Sequence, residues 1–360
     1  MSERRKILEI TSYPPPRAGW GMRVELVKRS LEARGHDCRV LNTGISRKIP
    51  SAEYETVLSG FDYVRKVWRF SRSGYLCHVH VNGKSPTGLA LALVAELLNL
   101  ACGMRCVLTF HAGEEQKYFP RNRAPLLAPL FRLLFRIPRS IICNSGPVKA
   151  KIEEYGIDER KIATIPAFSR QYLDFERAAL GEAAEKFYQE FPHVLFCYIN
   201  LQASYHPAVL LDAFATIARQ RQDVGLCICG LMGHADRSTA DDFHARIVRH
   251  DMVRRLCLVD DLDHDQFLTA MTRSSMYVRT PPADGVASSV LEALALRIPV
   301  VGSENGSRPA GVVTYEPTSA TALATRINQV LDRRGEVVEA IPPTVIADTL
   351  EDEVRLLTSD

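Results

Sequence analysis

Short apolar runs alternate with longer amphipathic stretches from one end of the 360-residue chain to the other. Runs at residues 6–11, 38–41, 76–82, 106–110 and 141–143 have the length and β-branched content of buried strands. Between them, helical spacing predicts helices over residues 22–34, 53–74, 87–100 and 121–139, and another from the Asn144-Ser145 start. Gly35 and Gly156 act as stops, and a last short strand lies at 162–166. A charged, aromatic connection follows at 169–192, and then the pattern begins again. Strands are expected at 194–199, 224–230 and 256–259, with helices at 207–221, 238–249 and 263–272. Such alternation predicts an α/β chain with parallel sheets, in two Rossmann-like domains. The expected divisions are 1–168, a connection at 169–192, a second domain at 193–344, and an acidic helix in 345–360.

Composition narrows the classes. No apolar run reaches the roughly 18 residues that a membrane-spanning helix needs, and the start MSERRKILEI lacks a signal-peptide core, so a cytoplasmic protein is expected. Nine cysteines sit mostly in strand-like runs with no C-x-x-C pair, which suits buried thiols. The net charge of +3 conceals an asymmetry: residues 1–150 hold 24 Lys/Arg against 11 Asp/Glu, and the rest hold 21 against 31. A basic half could face an anionic membrane surface, nucleic acid or an anionic substrate. Two basic, aromatic or apolar stretches, 53–74 and 121–139, read either as half-solvated core helices or as membrane-surface helices.

Candidate chemistry concentrates at 277–301, YVRTPPADGVASSVLEALALRIPVV. A strand ends near Val278, a loop carries Asp284 and Gly285, a helix opens at Ser288 or Ser289, and another strand starts at Pro299. Ligands of open α/β sheets bind beyond the carboxyl ends of strands, beside helix N-termini. Ser289 and Glu292 also satisfy the pattern of a capping box, which would explain both without a ligand. In the first half, Gly19 and Gly21 begin a dinucleotide fingerprint, but Val24 stands at the third glycine position and Val40-Leu41-Asn42 offers no acid, which disfavours hydride chemistry. Gly21 lets backbone approach a phosphate or serves only the turn. His111 follows a strand closing in Thr109-Phe110. His78 and His80 share a strand face and read as structural, with no third ligand-type residue at metal spacing.

The Asp284-to-Val301 segment resembles the family-4 retaining glycosyltransferases of the GT-B fold (glycosyl transferases group 1), and its loop is similar to a subgroup with Arg-Pro-Thr-x-x-Asp-Gly. The glycine-rich first loop and Thr-x-His-Ala-Gly resemble the family's N-domain motifs. The resemblance implies two Rossmann-like domains facing across a cleft. It implies Asp284 on the donor sugar's hydroxyls, Glu292 on the nucleotide ribose, His111 on the sugar near the reacting centre, and Gly21 near the donor phosphate. Gly230, Gly285 and Ser289 would border the donor as well. Gly230 would lie beside the base.

One departure is large. Where the family has a basic pair for the diphosphate, this chain has Asn200 and Tyr205. Arg279 is the leading substitute, with Arg308 and the Ser289 helix start in support. The expected activity is therefore retaining, metal-independent transfer from a nucleotide diphosphate sugar to a polysaccharide, lipid-linked or other glycan acceptor, with no cofactor and no nucleic acid. Peripheral attachment at the inner face of a membrane is an open extension. A degenerate protein that binds a sugar nucleotide or a partner without turnover is the alternative.

Overall fold

The computed structural model describes residues 4–14, 20–113, 116–231, 235–260, 262–282, 287–343 and 346–359. It divides into two units: Met1–Ser169 with Ala347–Asp360, and Arg170–Ile346. The first runs β1 (Lys6–Thr11), α1 (Trp20–Ala33), β2 (Asp37–Asn42), α2 (Gly60–Arg72), β3 (Leu76–Val81), α3 (Pro86–Ala101), β4 (Val107–Phe110), α4 (Ala128–Arg136), β5 (Ser140–Cys143), α5 (Gly146–Glu153) and β6 (Ile162–Thr164). In the second come α6 (Glu182–Glu190), β7 (His193–Tyr198), α7 (Pro207–Gln220), β8 (Val224–Cys229), α8 (Arg237–Arg249), β9 (Leu256–Leu258), α9 (His264–Arg273) and β10 (Met276–Arg279). It continues with α10 (Ser288–Ala295), β11 (Val300–Ser303), β12 (Val312–Tyr315), α11 (Ala320–Asp332) and α12 (Arg334–Ala340), and α13 (Thr349–Thr358) then rejoins the first unit.

Both sheets are six-stranded and parallel. Their orders are β2-β1-β3-β4-β5-β6 and β12-β11-β10-β7-β8-β9. Each order reverses once, between β1 and β3 in the first unit and between β7 and β10 in the second, and these are the switch points where such sheets bind ligands. Alternation along the strands explains the layering. In β7, Leu195 and Cys197 enter one core while Val194 and Phe196 enter the opposite one. In β1, Leu8 and Ile10 face the large core, and Ile7 faces the core shared with Leu350, Val354 and Leu357 of α13. Glu9 is thereby directed, as a neighbour of Leu8 and Ile10, to the Ile7 face, where it is fully buried. Phe110, Phe119, Phe131 and Phe135 form a buried aromatic cluster, with Phe110 centred 4.8 Å from Phe119 and 5.2 Å from Phe135. Burying each such ring stabilises the unit by about 2–3 kcal/mol.

Several boundaries differ from the sequence pattern for local reasons. The helix expected over 53–74 begins only at Gly60, because Ser59 Oγ accepts from the Asp62 amide and Asp62 Oδ2 accepts from the Leu58 amide. Upstream, Glu55 is held extended by a parallel bridge to Leu41. In 121–139 the α-helix is confined to α4, preceded by a 3-10 turn at Pro125–Leu127. Here the prolines remove amide donors from an earlier start. Helix α1 opens at Trp20, two residues before the expected start, and so encloses Gly21 in its first turn.

Candidate functional site

In the second unit the switch point brings together the ends of β7 and β10. Arg279, the last residue of β10, is buried. Its Nη1 donates to the Tyr198 carbonyl at 3.4 Å, and its guanidinium lies 5.5 Å from the centre of the Tyr205 ring. Thr280 Oγ1 donates to the Tyr205 carbonyl at 2.5 Å and ties the two loops together. Thus Tyr205, at a position where the resemblance leads one to expect a cation, is packed against a cation that comes from β10. Asn200 stands in the same loop with its Oδ1 buried and, among the described residues, without a hydrogen-bond partner. Since amide oxygen and nitrogen are interchangeable by a flip, that side chain can offer a ligand either a donor or an acceptor.

Arg308 is engaged locally. Its Nε donates to Ser303 O at 2.8 Å and its Nη2 to Pro281 O at 2.8 Å, while Ser303 Oγ also donates to Pro281 O at 2.7 Å. These bonds clamp the chain leaving β10. Asp284 and Gly285, which follow, lie outside the described residues.

Helix α10 places Ser289 and Glu292 on one side of its first turns, but the capping box is not formed. Ala287 is the N-cap and makes no side-chain cap bond, while Ser289 Oγ accepts from the Tyr277 hydroxyl at 2.8 Å. Glu292 is only 4% exposed, and among the described residues nothing hydrogen-bonds its carboxyl. Burial pushes its pKa from 4.5 up to about 8. The carboxyl is therefore mostly protonated at neutral pH. Gly230, just past β8, has φ +89°, and a Cβ there would stand 2.6 Å from the Tyr198 ring and 2.9 Å from Ile199 O. Fold alone requires that glycine.

Gly21 has the opposite character. A Cβ there would meet Pro14 Cδ at an ordinary 3.5 Å, and the residue sits in a helix, so the turn-only explanation does not apply. In the first unit, His111 follows β4 with its ring centre 4.1 Å from that of Trp20. His111 Nε2 lies 2.9 Å from His80 Nδ1. Burial, followed by the neighbouring His80, His78 and Arg23, which would repel a charged ring, holds its pKa well below 6.5, so the ring is neutral.

The reading of His78 and His80 as lacking a third partner is corrected by the fold. Glu9, 69 positions from His78, lies on the adjacent strand with its carboxylate 3.0 Å from His78 Nδ1 and 2.9 Å from His80 Nε2. Those three residues form a group whose ligand-type atoms fall within 4.8 Å of one another. The separations are hydrogen-bond lengths. Alternation in CHVHV and a lone acid inside KILEIT were the available signals. Nothing in the sequence paired them across the sheet. A cavity of about 440 Å³ lies at the other, amino-terminal edge of this sheet, lined by Arg4, Lys6, Arg105 and Arg139 among others. It is remote from the strand ends that carry the groups above.

Residues 18–168 match the family model described as Glycosyltransferase Family 4, and residues 183–341 match Glycosyl transferases group 1. The chain belongs to the glycosyltransferases of the GT-B type. Between them the two matched segments hold β2 to β6 of the first sheet and all six strands of the second.

Solved structures of similar fold include the Anabaena HepE protein in complex with UDP and glucose, at TM-score 0.65 and 14% identity, covering 99% of this chain and 96% of that one. Sucrose-phosphate synthase from Thermosynechococcus elongatus is similar at TM-score 0.63 and 14% identity, covering 99% and 95%. A UDP-N-acetylglucosamine 2-epimerase is similar at TM-score 0.64 and 13% identity, covering 98% and 96%. A transferase architecture shared with an epimerase does not name a reaction. Family membership of this glycosyltransferase rests on the two sequence models. No curated protein matches the chain.

Proposed function

We propose that this glycosyltransferase moves a sugar, with retention and without a metal ion, from a nucleotide diphosphate carrier to a polysaccharide, lipid-linked or other glycan acceptor. The observation that carries the reading is Arg279, buried at the β7/β10 switch point against Tyr198 and Tyr205. It supplies positive charge where Asn200 and Tyr205 supply none, and a buried guanidinium stabilises the diphosphate as its charge develops. In the reaction, the bond from the anomeric carbon to the phosphate oxygen breaks, and the acceptor oxygen bonds on the same face. Its proton passes to the departing phosphate. Asp284 orients the sugar's hydroxyls, His111 meets the sugar near the reacting centre, and Gly21 leaves room beside the phosphate. Gly230, Gly285 and Ser289 line the donor, and Glu292 holds the ribose.

Glu292 gives this reading a proton signature. A ribose diol donates best to the ionised carboxylate, so binding UDP at pH 7 should release close to one proton. Calorimetry in two buffers of different ionisation enthalpy reads that number. Glu292→Gln should remove the release and weaken UDP by about 10- to 100-fold, the loss of hydrogen bonds to a charged group. Because the folded pKa of about 8 lies above the ordinary 4.5, this residue's contribution to stability is full below pH 4.5 and is lost as pH rises through 8. The Gln variant should accordingly be the more stable protein at pH 8. Equal UDP affinity in both proteins, with no proton released, contradicts the ribose assignment.

A second reading, donor binding without turnover, is favoured by the non-basic Asn200 and Tyr205. It predicts UDP binding with no consumption of any donor.

Among the described residues no helix is long and apolar enough to cross a membrane. Surface attachment is supported by α2, which exposes Phe61 (80%) and Trp68 (39%) beside Arg65, Arg69 and Arg72. We assign this face to an anionic bilayer, since apolar anchors ringed by arginines match acyl boundary and headgroup charge. Co-sedimentation with vesicles containing phosphatidylglycerol should be strong, and at least about tenfold weaker for Phe61→Ser with Trp68→Ser. Equal recovery with neutral phosphatidylcholine vesicles, or no loss in the variant, would reject the assignment.

A further inference from the structure

Five polar side chains, four on three adjacent strands of the first unit and one just past β4, form an unbroken row at its β1/β3 switch point. Thr109 Oγ1 lies 2.7 Å from His78 Nε2, and His78 Nδ1 lies 3.0 Å from Glu9 Oε1. Glu9 Oε2 is 2.9 Å from His80 Nε2, and His80 Nδ1 is 2.9 Å from His111 Nε2. Glu9, His78 and Thr109 are buried, and the side chain of His80 is only 1% exposed. This row ends at His111, whose ring is braced on its other side by Trp20.

We propose that Glu9 and His80 are positioning residues that lock His111 in the tautomer protonated at Nε2, leaving its Nδ1 as a hydrogen-bond acceptor for a substrate hydroxyl.

The inference follows from which atoms can donate. An ionised carboxylate only accepts, so each imidazole nitrogen facing Glu9 carries a proton. Glu9 is ionised: its pKa is lowered to about 2, where burial, which opposes ionisation, is outweighed by His78 and His80. His80 therefore bears its proton on Nε2. Burial and the neighbouring His78 keep His80 below the usual imidazole range, so its Nδ1 is a lone pair. A lone pair needs a donor, and the atom facing it is His111 Nε2. His111 is neutral, and its second nitrogen is left unprotonated.

Among the described residues no partner occupies that Nδ1. A hydroxyl-bearing ligand would donate to it. A group that can only accept, such as a carboxylate or carbonyl oxygen, would be disfavoured at the same atom, because no proton is held there. The row thus converts a buried negative charge on β1 into a fixed orientation of a proton two side chains away, much as an acid holds the tautomer of a catalytic histidine in hydrolases. The sugar hydroxyl as the donor rests on the functional reading above. The tautomer does not.

The test uses the full chain with 15N-labelled histidine. Long-range 1H–15N correlation distinguishes protonated from unprotonated ring nitrogens, with His111→Gln supplying the assignment. Expected for His111 is a protonated Nε2 and a bare Nδ1. A protonated Nδ1 in the wild type overturns the proposal without recourse to any variant. Glu9→Gln presents an amide N–H to one imidazole, reverses the donors along the row, and should move the His111 proton to Nδ1 in part or whole. An unchanged His111 pattern in a folded Glu9→Gln protein whose His80 proton has moved to Nδ1 also overturns it. So does collapse of the wild-type pattern after dialysis against a chelator, which would make the row a metal site.

Turnover then separates this inference from the functional reading. Where a donor is consumed, Glu9→Gln should lower kcat on the order of tenfold or more, with UDP affinity unchanged. If the tautomer is as expected but His111→Gln leaves kcat intact, the row stands and the role of His111 at the sugar falls.

Discussion

Replacing Arg279 with alanine is expected to lower donor turnover by about 10²- to 10³-fold, the loss produced when one preorganised charge-stabilising group is removed from a reacting centre. The effect should be large because the alternatives nearby are committed or neutral. Arg308 spends its guanidinium on Ser303 and Pro281, and Asn200 and Tyr205 carry no charge. Arg279→Lys restores charge without the planar fork, and should recover only part of the rate. Rates are read with whichever of UDP-, GDP- or ADP-activated sugars the wild type consumes. Thermal unfolding is followed in parallel, since truncating a side chain 7% exposed removes its packing on Tyr205 as well. A folded Arg279→Ala protein within about threefold of wild type would show that the diphosphate is balanced elsewhere.

The second large effect concerns stability. Arg23 of α1 and Glu353 of α13 pair at 2.7 Å with side chains 3% and 4% exposed. Arg23 also donates to Thr349 Oγ1 at 3.1 Å and to Thr349 O at 2.6 Å. Thr349 Oγ1 in turn donates to Phe168 O at 3.0 Å, and Arg139 closes the far end of α13 through the Leu356 and Leu357 carbonyls. The last helix is thus fastened at both ends onto the first unit. Glu353→Ala leaves a buried guanidinium without its counter-charge and should cost about 3–5 kcal/mol, measured by denaturant unfolding of the first unit's transition. Glu353→Gln keeps an acceptor and should cost less. If both variants unfold with the wild-type midpoint, α13 is not held by this pair. Since α1 also carries Trp20 and Gly21, loosening it should lower turnover before the unit unfolds.

The alternation of strands and helices was legible because parallel sheets covered on both faces read as continuous apolar runs, as in Val194–Tyr198 and Val224–Cys229. Capping was less so. Ser289 and Glu292 have the spacing of a capping box, yet the Tyr277 hydroxyl takes Ser289, and Glu292 turns into the protein. A local pattern yields there to a contact made 12 residues away. Glu9 illustrates the deeper limit. One acid in an apolar strand has no sequence-local partner, and only strand order places it against His78 and His80. Likewise Arg23 and Glu353 stand 330 positions apart and could be paired only by the folded chain. Arg279 was visible from its place at a strand end, whereas its packing on Tyr205 depended on the β7/β10 reversal.

The most direct test of the account is donor consumption by the intact wild-type protein. Incubation with a panel of UDP-, GDP- and ADP-activated sugars, followed by separation of free nucleotide, should reveal steady release from at least one donor, sharply lowered in Arg279→Ala and Asp284→Ala. With an acceptor present, the transferred sugar should keep the donor's anomeric configuration. A wild-type protein that binds UDP but releases nucleotide from none of the donors would contradict the assignment of turnover and leave a sugar-nucleotide binder.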